Sequence, residues 1–427
     1  MKNRVIEYLS NRKLLILGFG KEGYSTLNFL HNNGIDCEVD IADINSVDPP
    51  HWFKGSKIFS KDYQTVIPDY DLVIKSPGVR LENRFKHCRN ISSQIDIFLR
   101  FFKEQVIGVT GTKGKSTVAS MIHHLLKDCG KDSILGGNIG VPVFDIIDDI
   151  KSSTHIVLEL SSHQLQFVNF SPSTSILLNI FPEHLDYYEN FDEYSNAKKN
   201  IFKFQNSENT LYINSSIKAK TKSRVIPFSS IFDSSDKEKY PTNLLGDHNK
   251  QNGMIAVKVA SDIGIKKSKL IKSLESFIPL KHRLEYFGTY RNIKFIDDSI
   301  STIPESTIEG VKSLKGEVDT IILGGKNRSD NIKFNNLVQF LERSNISNII
   351  LIPETGLTIK KLFSMESSKN IFLEETLEKS VERSFKVTQK DKYVLLSPAA
   401  SSYNMFKNFE ERGELFKEFV KNYSERT

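Results

Sequence analysis

Cysteine is scarce in this chain of 427 residues, and long apolar runs are missing. Its three cysteines, Cys37, Cys88 and Cys129, are odd in number and widely spaced, which argues against a disulfide framework and against a zinc cluster. No run of about 18 apolar residues occurs, and the opening MKNRVIEYLSNRK lacks the apolar core of a signal peptide. We therefore expect a cytoplasmic protein with no membrane insertion.

Charge of one sign is not concentrated anywhere along the sequence. The net charge of +6 suits anionic ligands such as nucleotides, but the 58 basic residues are scattered among 52 acidic ones. Domains that bind nucleic acid usually carry a basic block or stripe. We therefore do not expect nucleic acid as a partner.

Short apolar runs alternate with glycine or polar turns and with helix-like stretches. The runs are KLLILGFG, DLVIKSPG, QVIGVTG, HIVLELSS, SILLNIFP, IKFIDDS, TIILGG, NIILIP and YVLLSPAAS. Strands that are buried on both faces and alternate with helices indicate an α/β fold with parallel sheets. Because so many strands exceed one sheet, and the chain exceeds one ordinary core, we predict three α/β domains.

The predicted domains are residues 1–102, 103–280 and 281–427. The first and third are expected to be Rossmann-like, and the second a P-loop NTPase-like domain with a mostly parallel sheet. The third starts near PLKHRLEYF, where Pro279 can mark a linker. A polar stretch in the second, SSIFDSSDKEKYPTNLLGDHN, is predicted to be a surface excursion.

A G-x-G-x-x-G pattern formed by Gly18, Gly20 and Gly23 directly follows the first apolar run. This geometry lets a backbone approach a phosphate at a helix N-terminus. An acidic residue about 20 positions further on, Asp40 or Asp43, could meet a ribose hydroxyl. A tight turn between strand and helix that binds no cofactor remains the alternative.

The stretch GVTGTKGKST fails the usual pattern G-x-x-x-x-G-K-[ST] by one residue, because Val109 stands five places before Gly114. It nevertheless follows an apolar strand and precedes an apolar-periodic helix. Backbone N–H groups, a lysine for β- and γ-phosphates and a hydroxyl for Mg²⁺ are all present. The predicted loop consists of Gly111, Thr112, Lys113, Gly114, Lys115, Ser116 and Thr117.

The variant T-G-T-x-G-K-[ST] resembles the phosphate loop of the Mur ligase family, and the resemblance extends over nearly the whole chain. Further motifs look like that family in its order: GGNIG at 136–140, LELSSHQL at 158–165, LNIFPEHLDYY at 178–188, NAKKNIF at 196–202, GDHNKQN at 246–252, HRLEY at 282–286, DDSISTIPES at 297–306, LGGKNRSDN at 323–331 and LSPAASSYNMFKNFEERG at 396–413. ELSSHQL and the last motif most resemble the branch that adds glutamate to UDP-N-acetylmuramoyl-L-alanine.

This resemblance implies an ATP-dependent amide ligase of peptidoglycan precursor synthesis. The expected substrates are UDP-N-acetylmuramoyl-L-alanine and glutamate, with D-glutamate favoured and a paralogous ligase for L-glutamate as the alternative. The expected cofactors are ATP and two Mg²⁺ ions, with a carbamylated lysine and without a nicotinamide cofactor. We expect a monomer.

The resemblance also assigns the metal ligands and the catalytic residues. The metal ligands are Ser116, Glu159, His184 and Lys198 as a carbamate, and the catalytic residues are Lys115, Lys198 and His184. A carboxylate at the end of a buried strand, as at Glu159, is costly unless it is paired or bound to metal. Carbamate formation needs a neutral amine, hence a desolvated lysine. A structural ion pair, a structural histidine and a solvated surface lysine are the alternatives.

The substrate contacts are assigned by the same resemblance. Those to the UDP-linked substrate are Gly18, Gly20, Gly23, Asp43, Ser76, Pro77, Gly78, Asn138 and Ser161. Those to ATP beyond the phosphate loop are Asn252, Arg283 and Asp298, the last at the ribose, with His248 and Asn249 as further polar positions. The asparagines could instead cap helices or form turns.

The incoming amino acid is predicted to contact Thr302, Arg328, Ser402 and Phe409. An arginine can clamp a carboxylate through two parallel hydrogen bonds. Two positions depart from the family, which usually has lysine where this chain has Ile300 and often has lysine where it has Arg328. The DNPR of the diaminopimelate-adding branch is absent. The departures bear on the stereochemistry of the amino acid rather than on the ATP chemistry.

Three other functions would use only part of these motifs. A nicotinamide-dependent oxidoreductase would use GFGKEG but would leave Lys115, Glu159 and His184 without a role. A nucleotide-binding regulatory protein with a degenerate site conflicts with the intact set of catalytic residues. A folylpolyglutamate-synthetase-like ligase shares the phosphate loop but lacks the N-terminal UDP-type domain predicted at 1–102.

Overall fold

The computed structural model describes residues 1–184, 187–232, 240, 247–278, 281–326, 334–402 and 405–426. Each of the apolar runs identified in the sequence contains a strand. The strands are β1 Lys13–Leu17, β2 Glu38–Asp43, β3 Lys57–Phe59, β4 Leu72–Lys75, β5 Ile91–Ser92, β6 Val106–Thr110, β7 Ser133–Gly137, β8 His155–Glu159, β9 Thr174–Leu177, β10 Thr210–Ile213, β11 Arg224–Pro227, β12 Glu285–Tyr290, β13 Ile293–Asp297, β14 Val318–Gly324, β15 Asn348–Ile352, β16 Asn370–Leu373 and β17 Tyr393–Leu396.

Helices connect most of these strands, as the α/β pattern predicts. They are α1 Lys2–Leu9, α2 Lys21–Asn32, α3 Gln94–Phe102, α4 Lys115–Asp128, α5 Ser162–Leu165, α6 Phe191–Lys203, α7 Asp247–Asp262, α8 Lys267–Glu275, α9 Pro304–Ser313, α10 Asn335–Arg343, α11 Thr355–Lys360, α12 Leu377–Val387 and α13 Phe409–Glu425. Across the part of the chain that the structure describes, no helix is both long and apolar enough to cross a membrane.

The first sheet has the strand order β3-β2-β1-β4-β5, with all neighbours parallel. The side chains of Leu14 to Leu17 on the central β1 are fully buried, because helices cover both faces of a parallel sheet. The chain forms one half of the sheet with β1, β2 and β3 and then crosses to the other side of β1, where β4 and β5 lie. The strand order therefore reverses between β1 and β4. Ligands of such sheets bind at the carboxyl ends of the strands flanking this point.

The second sheet has the order β11-β10-β9-β6-β8-β7 and is also parallel throughout. Strand β6, which leads into the phosphate loop, lies between β8 and β9. Its five residues are all buried. The carboxyl ends of β6, β8 and β9 therefore meet at one edge of this sheet.

The third sheet has the order β12-β13-β17-β14-β15-β16. It is mixed, because β12 pairs antiparallel with β13 while the other pairs are parallel. An antiparallel strand at the edge of a parallel sheet is common in doubly wound folds. The three sheets together confirm the predicted α/β fold class.

The chain forms two compact units. The first comprises Met1–Pro241 and Gln251–Phe277 and contains the first and second sheets. The second comprises Thr242–Lys250 and Ile278–Thr427 and contains the third sheet. Within the first unit a continuous apolar core joins the two sheets, with the rings of Phe29 and Phe144 4.8 Å apart. Each sheet lies inside one predicted domain range, and the boundaries after residues 102 and 280 remain predictions.

Some predicted features lie outside the described residues. These are most of the polar stretch at 229–249, Pro279 at the predicted linker, and Arg328 of the predicted amino-acid site. The three cysteines are described, and each has a free thiol.

Candidate active site

The phosphate loop connects β6 to the N-terminus of α4 through two sterically restricted glycines. Gly114 precedes the helix with φ 86, a left-handed conformation that favours glycine. A Cβ atom on Gly111 would lie 2.9 Å from the Cβ atom of Leu178. The two glycines therefore let the loop turn tightly into the N-terminus of α4, a place where backbone N–H groups can bind phosphate.

Two lysine side chains converge on the carbonyl oxygen of Gly111. Nζ of Lys115 donates to this oxygen and to the carbonyl oxygen of Thr112, both at 3.0 Å. Nζ of Lys198, on α6, donates to the same Gly111 oxygen at 2.8 Å. Burial and the nearby charge of Lys115 hold the pKa of Lys198 well below its usual range. Lys198 thus has the weakened basicity that carbamate formation requires.

Glu159, the last residue of β8, presents a buried carboxylate at the same edge of the second sheet. Only 2% of its surface is exposed, and its Oε1 accepts a hydrogen bond of 2.8 Å from Nδ2 of Asn138. Its Oε2 has no hydrogen-bond partner among the described residues. A buried carboxylate oxygen without a donor is costly, and a bound cation would satisfy it. Glu159 therefore fits a metal ligand.

His184 lies on the segment after β9. Its backbone has φ 58, and its carbonyl oxygen accepts hydrogen bonds from the backbone N–H groups of Tyr187 and Tyr188, both at 3.0 Å. Its Nε2 lies 3.7 Å from Oε2 of Glu183, and 45% of the side chain is exposed. Leu185 and Asp186, which follow it in the PEHLD motif, lie outside the described residues. The imidazole is accessible to a ligand from solvent.

The segment that carries His184 is joined to the phosphate loop by an ion pair. Nζ of Lys113 lies 3.1 Å from Oε1 of Glu183. Burial would raise the pKa of Glu183, but the charge and hydrogen bond of Lys113 outweigh burial and lower it. Glu183 is therefore an anion beside Lys113, and His184 next to it is held close to the loop.

Residues that the sequence analysis did not single out immobilise the phosphate loop. Oδ1 of Asn179 accepts a 2.8 Å hydrogen bond from the backbone N–H of Lys113. The hydroxyl of Tyr194 lies 2.9 Å from Oγ1 of Thr112. Asn179 is the second residue of the motif LNIFPEHLDYY, so its place shortly after a buried strand was a usable signal. Tyr194 lies outside every recognised motif.

The other loop residues and Asn252 complete this edge of the first unit. Ser116 and Thr117 lie in the first turn of α4 and are 8% and 7% exposed. A Cβ atom on Gly114 would lie 3.4 Å from Oδ1 of Asn252 on α7. The structure thus brings together residues predicted to bind phosphate, residues predicted to bind metal, and Asn252, one of the further predicted ATP contacts. Of the further polar positions predicted from the sequence, His248 is exposed and Asn249 is buried, and both belong to the second compact unit.

The predicted UDP-binding residues of the first sheet lie at the carboxyl ends of β1, β2 and β4. Oγ of Ser76 donates to the carbonyl oxygen of Gly18 at 2.6 Å, and Oδ2 of Asp43 accepts from the backbone N–H of Phe19 at 2.8 Å. A Cβ atom on Gly23 would lie 2.5 Å from the Gly18 oxygen, so the tight turn needs glycine there. Gly20 and Gly78 have open space around the position of a Cβ atom.

Ser161 and Asn138 belong to the second sheet. Ser161 forms a capping box with Gln164, in which its Oγ accepts from the Gln164 N–H at 3.2 Å and its own N–H donates to Oε1 of Gln164 at 3.0 Å. Asn138 is hydrogen-bonded to Glu159, as described above. Both residues therefore have local structural partners, and their contacts to a substrate remain predictions.

In the second compact unit, Asp298 follows β13 and is buried. Its Oδ2 accepts a 2.7 Å hydrogen bond from Oγ of Ser397, and its Oδ1 accepts from the backbone N–H of Leu284 at 3.2 Å. Burial raises the pKa of Asp298 to about 6, although these bonds and the charge of Arg283 oppose the change. The carboxylate points into the unit, and its predicted contact with ribose remains a prediction.

The predicted amino-acid residues lie after neighbouring strands of the third sheet. Thr302 follows β13 and Ser402 follows β17, and a backbone hydrogen bond of 2.9 Å from Ala399 to Ser301 joins the two loops. Phe409 begins α13, and its carbonyl oxygen accepts a hydrogen bond from Oγ of Ser299 at 2.8 Å. These residues share one edge of the sheet.

Arg412 holds this edge together and was not among the predicted site residues. Only 1% of it is exposed. Its Nε and Nη2 donate to Oγ and the carbonyl oxygen of Ser299 at 2.9 and 2.8 Å, and Nη1 donates to the Ala400 carbonyl oxygen at 3.1 Å. The arginine of the FEERG motif therefore links the loops after β13 and β17.

Comparison with known proteins finds similar chains over nearly the whole length. A family model described as Mur ligase middle domain matches residues 109–230. A relative from Borreliella burgdorferi (strain ZS7), named UDP-N-acetylmuramoylalanine--D-glutamate ligase, is 32% identical, and the match covers 98% of this chain and 99% of the relative. A relative of the same name from Caldanaerobacter subterraneus subsp. tengcongensis is 30% identical, with coverage of 96% and 98%.

Solved structures show the same fold at lower identity. The MurF ligase of Thermotoga maritima, solved in complex with ADP, has a TM-score of 0.59 and 14% identity, covering 99% of this chain and 97% of that one. The UDP-N-acetylmuramate-alanine ligase MurC of the same organism has a TM-score of 0.53 and 18% identity, covering 97% of this chain and 100% of that one. At these identities the similarity concerns the fold.

Proposed function

The chain belongs to the Mur ligase family, and from this premise we propose that it joins glutamate, in its D form, to UDP-N-acetylmuramoyl-L-alanine. It is an ATP-dependent amide ligase of peptidoglycan precursor synthesis, as its relatives' names and the fold of its structural neighbours indicate. One observation supports the chemistry above the others. Lys115 and the buried Lys198 meet at the Gly111 oxygen of the phosphate loop.

Four residues would hold the two expected Mg²⁺ ions: Ser116, Glu159, His184 and the carbamate of Lys198. The unpartnered Oε2 of the buried Glu159 supports this assignment. An ammonium group cannot ligate a metal, so Lys198 must first lose a proton. The neutral amine then adds CO₂ and releases a second proton to solvent, which gives a carbamate whose oxygens are ligands of the kind that Mg²⁺ prefers. Bound Mg²⁺ would neutralise charge on the phosphates of ATP.

In the proposed reaction, a carboxylate oxygen of UDP-N-acetylmuramoyl-L-alanine attacks the γ-phosphorus of ATP, and ADP leaves. The N–H groups of the phosphate loop and Nζ of Lys115 stabilise the charge on the transferred phosphoryl group. The amine of glutamate then attacks the carbonyl carbon of the acyl phosphate. The tetrahedral intermediate loses phosphate, and the amide remains.

The remaining predicted residues would bind the substrates. Gly18, Gly20, Gly23, Asp43, Ser76, Pro77, Gly78, Asn138 and Ser161 are assigned to the UDP-linked substrate; Gly111 to Thr117, Asn252, Arg283 and Asp298 to ATP; and Thr302, Arg328, Ser402 and Phe409 to glutamate. We place the enzyme in the cytoplasm, where ATP is supplied, and we propose that it acts as a monomer.

The proposal is tested by ATP-dependent phosphate release with UDP-N-acetylmuramoyl-L-alanine and a panel of amino acids. We expect release only when ATP, the UDP-linked substrate and D-glutamate are all present, with formation of an amide product. A clear preference for L-glutamate would support the paralogous ligase activity. This activity is the second candidate because Ile300 stands where the family usually has lysine. No release with any amino acid would refute the function.

A further inference from the structure

A buried cluster of polar side chains joins the first sheet to the second within the first compact unit. We call it the Glu22 bridge, and it consists of Glu22, Lys75 and Gln164. Oε1 of Glu22, in the first turn of α2, accepts a 2.7 Å hydrogen bond from Nε2 of Gln164 on α5. Its Oε2 is buried and has no hydrogen-bond partner among the described residues. Lys75, at the end of β4, is 2% exposed.

The ammonium group of Lys75 is held by backbone carbonyl oxygens. Nζ donates to the carbonyl oxygens of Ser76 at 3.1 Å and Pro77 at 3.4 Å, and it lies 5.3 Å from the ring centroid of Phe167. Burial lowers the pKa of Lys75 to about 7, and the charge of Glu22 opposes this change. Burial likewise raises the pKa of Glu22, against the hydrogen bond of Gln164 and the charge of Lys75. Each charge is therefore stabilised by the other.

Fold stability alone does not explain two buried charged side chains, because well-packed apolar residues often stabilise such a place as well as charged ones. The position of the Glu22 bridge indicates a role in binding the UDP-linked substrate. Glu22 lies between Gly20 and Gly23 in the first glycine-rich turn, and Lys75 directly precedes Ser76 of the second substrate loop. Gln164 completes the capping box of α5 with the N-cap residue Ser161, which lies two residues after Glu159.

We infer that Glu22, Lys75 and Gln164 are positioning residues that fix both UDP-facing loops of the first sheet against the strand end that carries Glu159. This inference rests on the proposed function. The bridge sets the distance between the site of the UDP group and the site of phosphoryl transfer, so it acts on the binding of the UDP-linked substrate. It makes no contact with ATP or glutamate in this assignment.

The test uses Lys75→Met, Glu22→Gln and the double variant, each in the full-length enzyme. We expect either single change to raise the KM for UDP-N-acetylmuramoyl-L-alanine at least about tenfold, since small displacements of binding groups have effects of this order or larger. The KM for ATP should stay within about twofold. The double variant removes both buried charges, so neither remains without the other. Its KM for UDP-N-acetylmuramoyl-L-alanine should therefore return most of the way to the wild-type value. Lys57→Met, an exposed lysine on β3 of the same sheet, is the matched control.

Direct binding of UDP-N-acetylmuramoyl-L-alanine, measured by calorimetry, separates this inference from the proposed function. If the wild-type enzyme neither binds this compound nor releases phosphate with it, the proposed function fails. If the wild type binds it and all three variants bind it equally well, the Glu22 bridge has no positioning role. Equal increases in every KM, or a double variant no better than the singles, would also overturn the inference. Should Lys75→Met not fold, the isosteric Glu22→Gln and the double variant still decide the matter.

Discussion

Lys115 and Lys198 donate hydrogen bonds to the same acceptor, the carbonyl oxygen of Gly111, from 3.0 and 2.8 Å. Two ammonium groups this close repel each other, and Lys198 is also buried. Burial and the charge of Lys115 both favour loss of the Lys198 proton. A carbamate on Lys198 would turn this repulsion into attraction. The pairing therefore gives a physical reason for a modified lysine beside a phosphate loop.

We predict that Lys115→Ala removes most of the turnover and leaves the fold intact. Nζ of Lys115 donates to the carbonyl oxygens of Gly111 and Thr112 in the loop, and its proposed role is with the phosphates. Loss of one such preorganised charge costs on the order of 10²-fold or more in rate. Phosphate release and thermal unfolding are the measurements, with Lys127→Ala, an exposed lysine on the same helix, as the control. Near-normal release from a folded Lys115→Ala enzyme would contradict the phosphate-loop assignment.

We predict that Lys198→Ala cripples activity and that a small carboxylate, acetate or formate, restores part of it. The added anion would occupy the space and supply the charge of the missing carbamate. The wild type should carry a labile CO₂ adduct in mass analysis under bicarbonate. Its neighbour Lys199 is less buried, and Lys199→Ala should keep most of the activity and gain nothing from acetate. An unmodified wild type together with an active alanine variant would rule out the ligand role.

The apolar strands could be predicted because burial on both faces leaves a continuous hydrophobic run. Strand β2, EVDIAD, mixes polar and apolar residues, and β5 has two residues, so neither gives such a signal. Strand β12 lies at the edge of its sheet and is only partly buried. The packing of the first two sheets into one unit depends on contacts such as Phe29 with Phe144, which are distant in sequence.

The candidate site was predictable where chemistry and motif coincide, as at Lys115, Glu159 and Lys198. The supporting contacts were not, because they join residues that lie far apart in the chain. Glu22 lies in a glycine-rich turn and Lys75 lies at the end of a strand. Nothing in the sequence indicates that these two residues belong to one bridge. For the same reason the sequence did not show that the Asp298 carboxylate is turned inward to Ser397.

The stability of the fold should depend on pH through Asp298. Burial raises its pKa from 3.8 to about 6, so the native state holds the proton more tightly than the unfolded chain. The stabilising contribution of Asp298 is complete below the pKa that it has in the unfolded chain. This contribution is lost as the pH rises through the pKa that it has in the folded protein. The loss amounts to roughly 3 kcal/mol, because each pKa unit corresponds to about 1.4 kcal/mol.

The variant Asp298→Asn is neutral at every pH and escapes this loss. Its free energy of unfolding, relative to the wild type, should therefore rise by up to about 3 kcal/mol between about pH 4 and pH 7. Urea unfolding followed by circular dichroism measures the difference. Asp391→Asn, at an exposed position with φ 63 that asparagine also adopts, is the control and should show no such trend. A pH-independent difference for Asp298→Asn would show that its carboxyl group is not perturbed.

The last prediction concerns the amino acid. Glutamate has two carboxylates, so a selective site needs donors at two separated points and rejects a shorter side chain that leaves one set unpaired. Arg328 with Thr302 is assigned to one carboxylate, and Ser402 with the backbone near Phe409 to the other. We expect D-glutamate to be used and aspartate and alanine to be poor substrates. Arg328→Ala should raise the KM for glutamate far more than the KM for ATP, and Arg343→Ala, an exposed arginine on α10, should change neither. Equal use of alanine, aspartate and glutamate would exclude this pocket. Preference for L-glutamate would exclude only the assignment of the D form, and it would indicate that Ile300, at the position of the family's usual lysine, affects the stereochemistry.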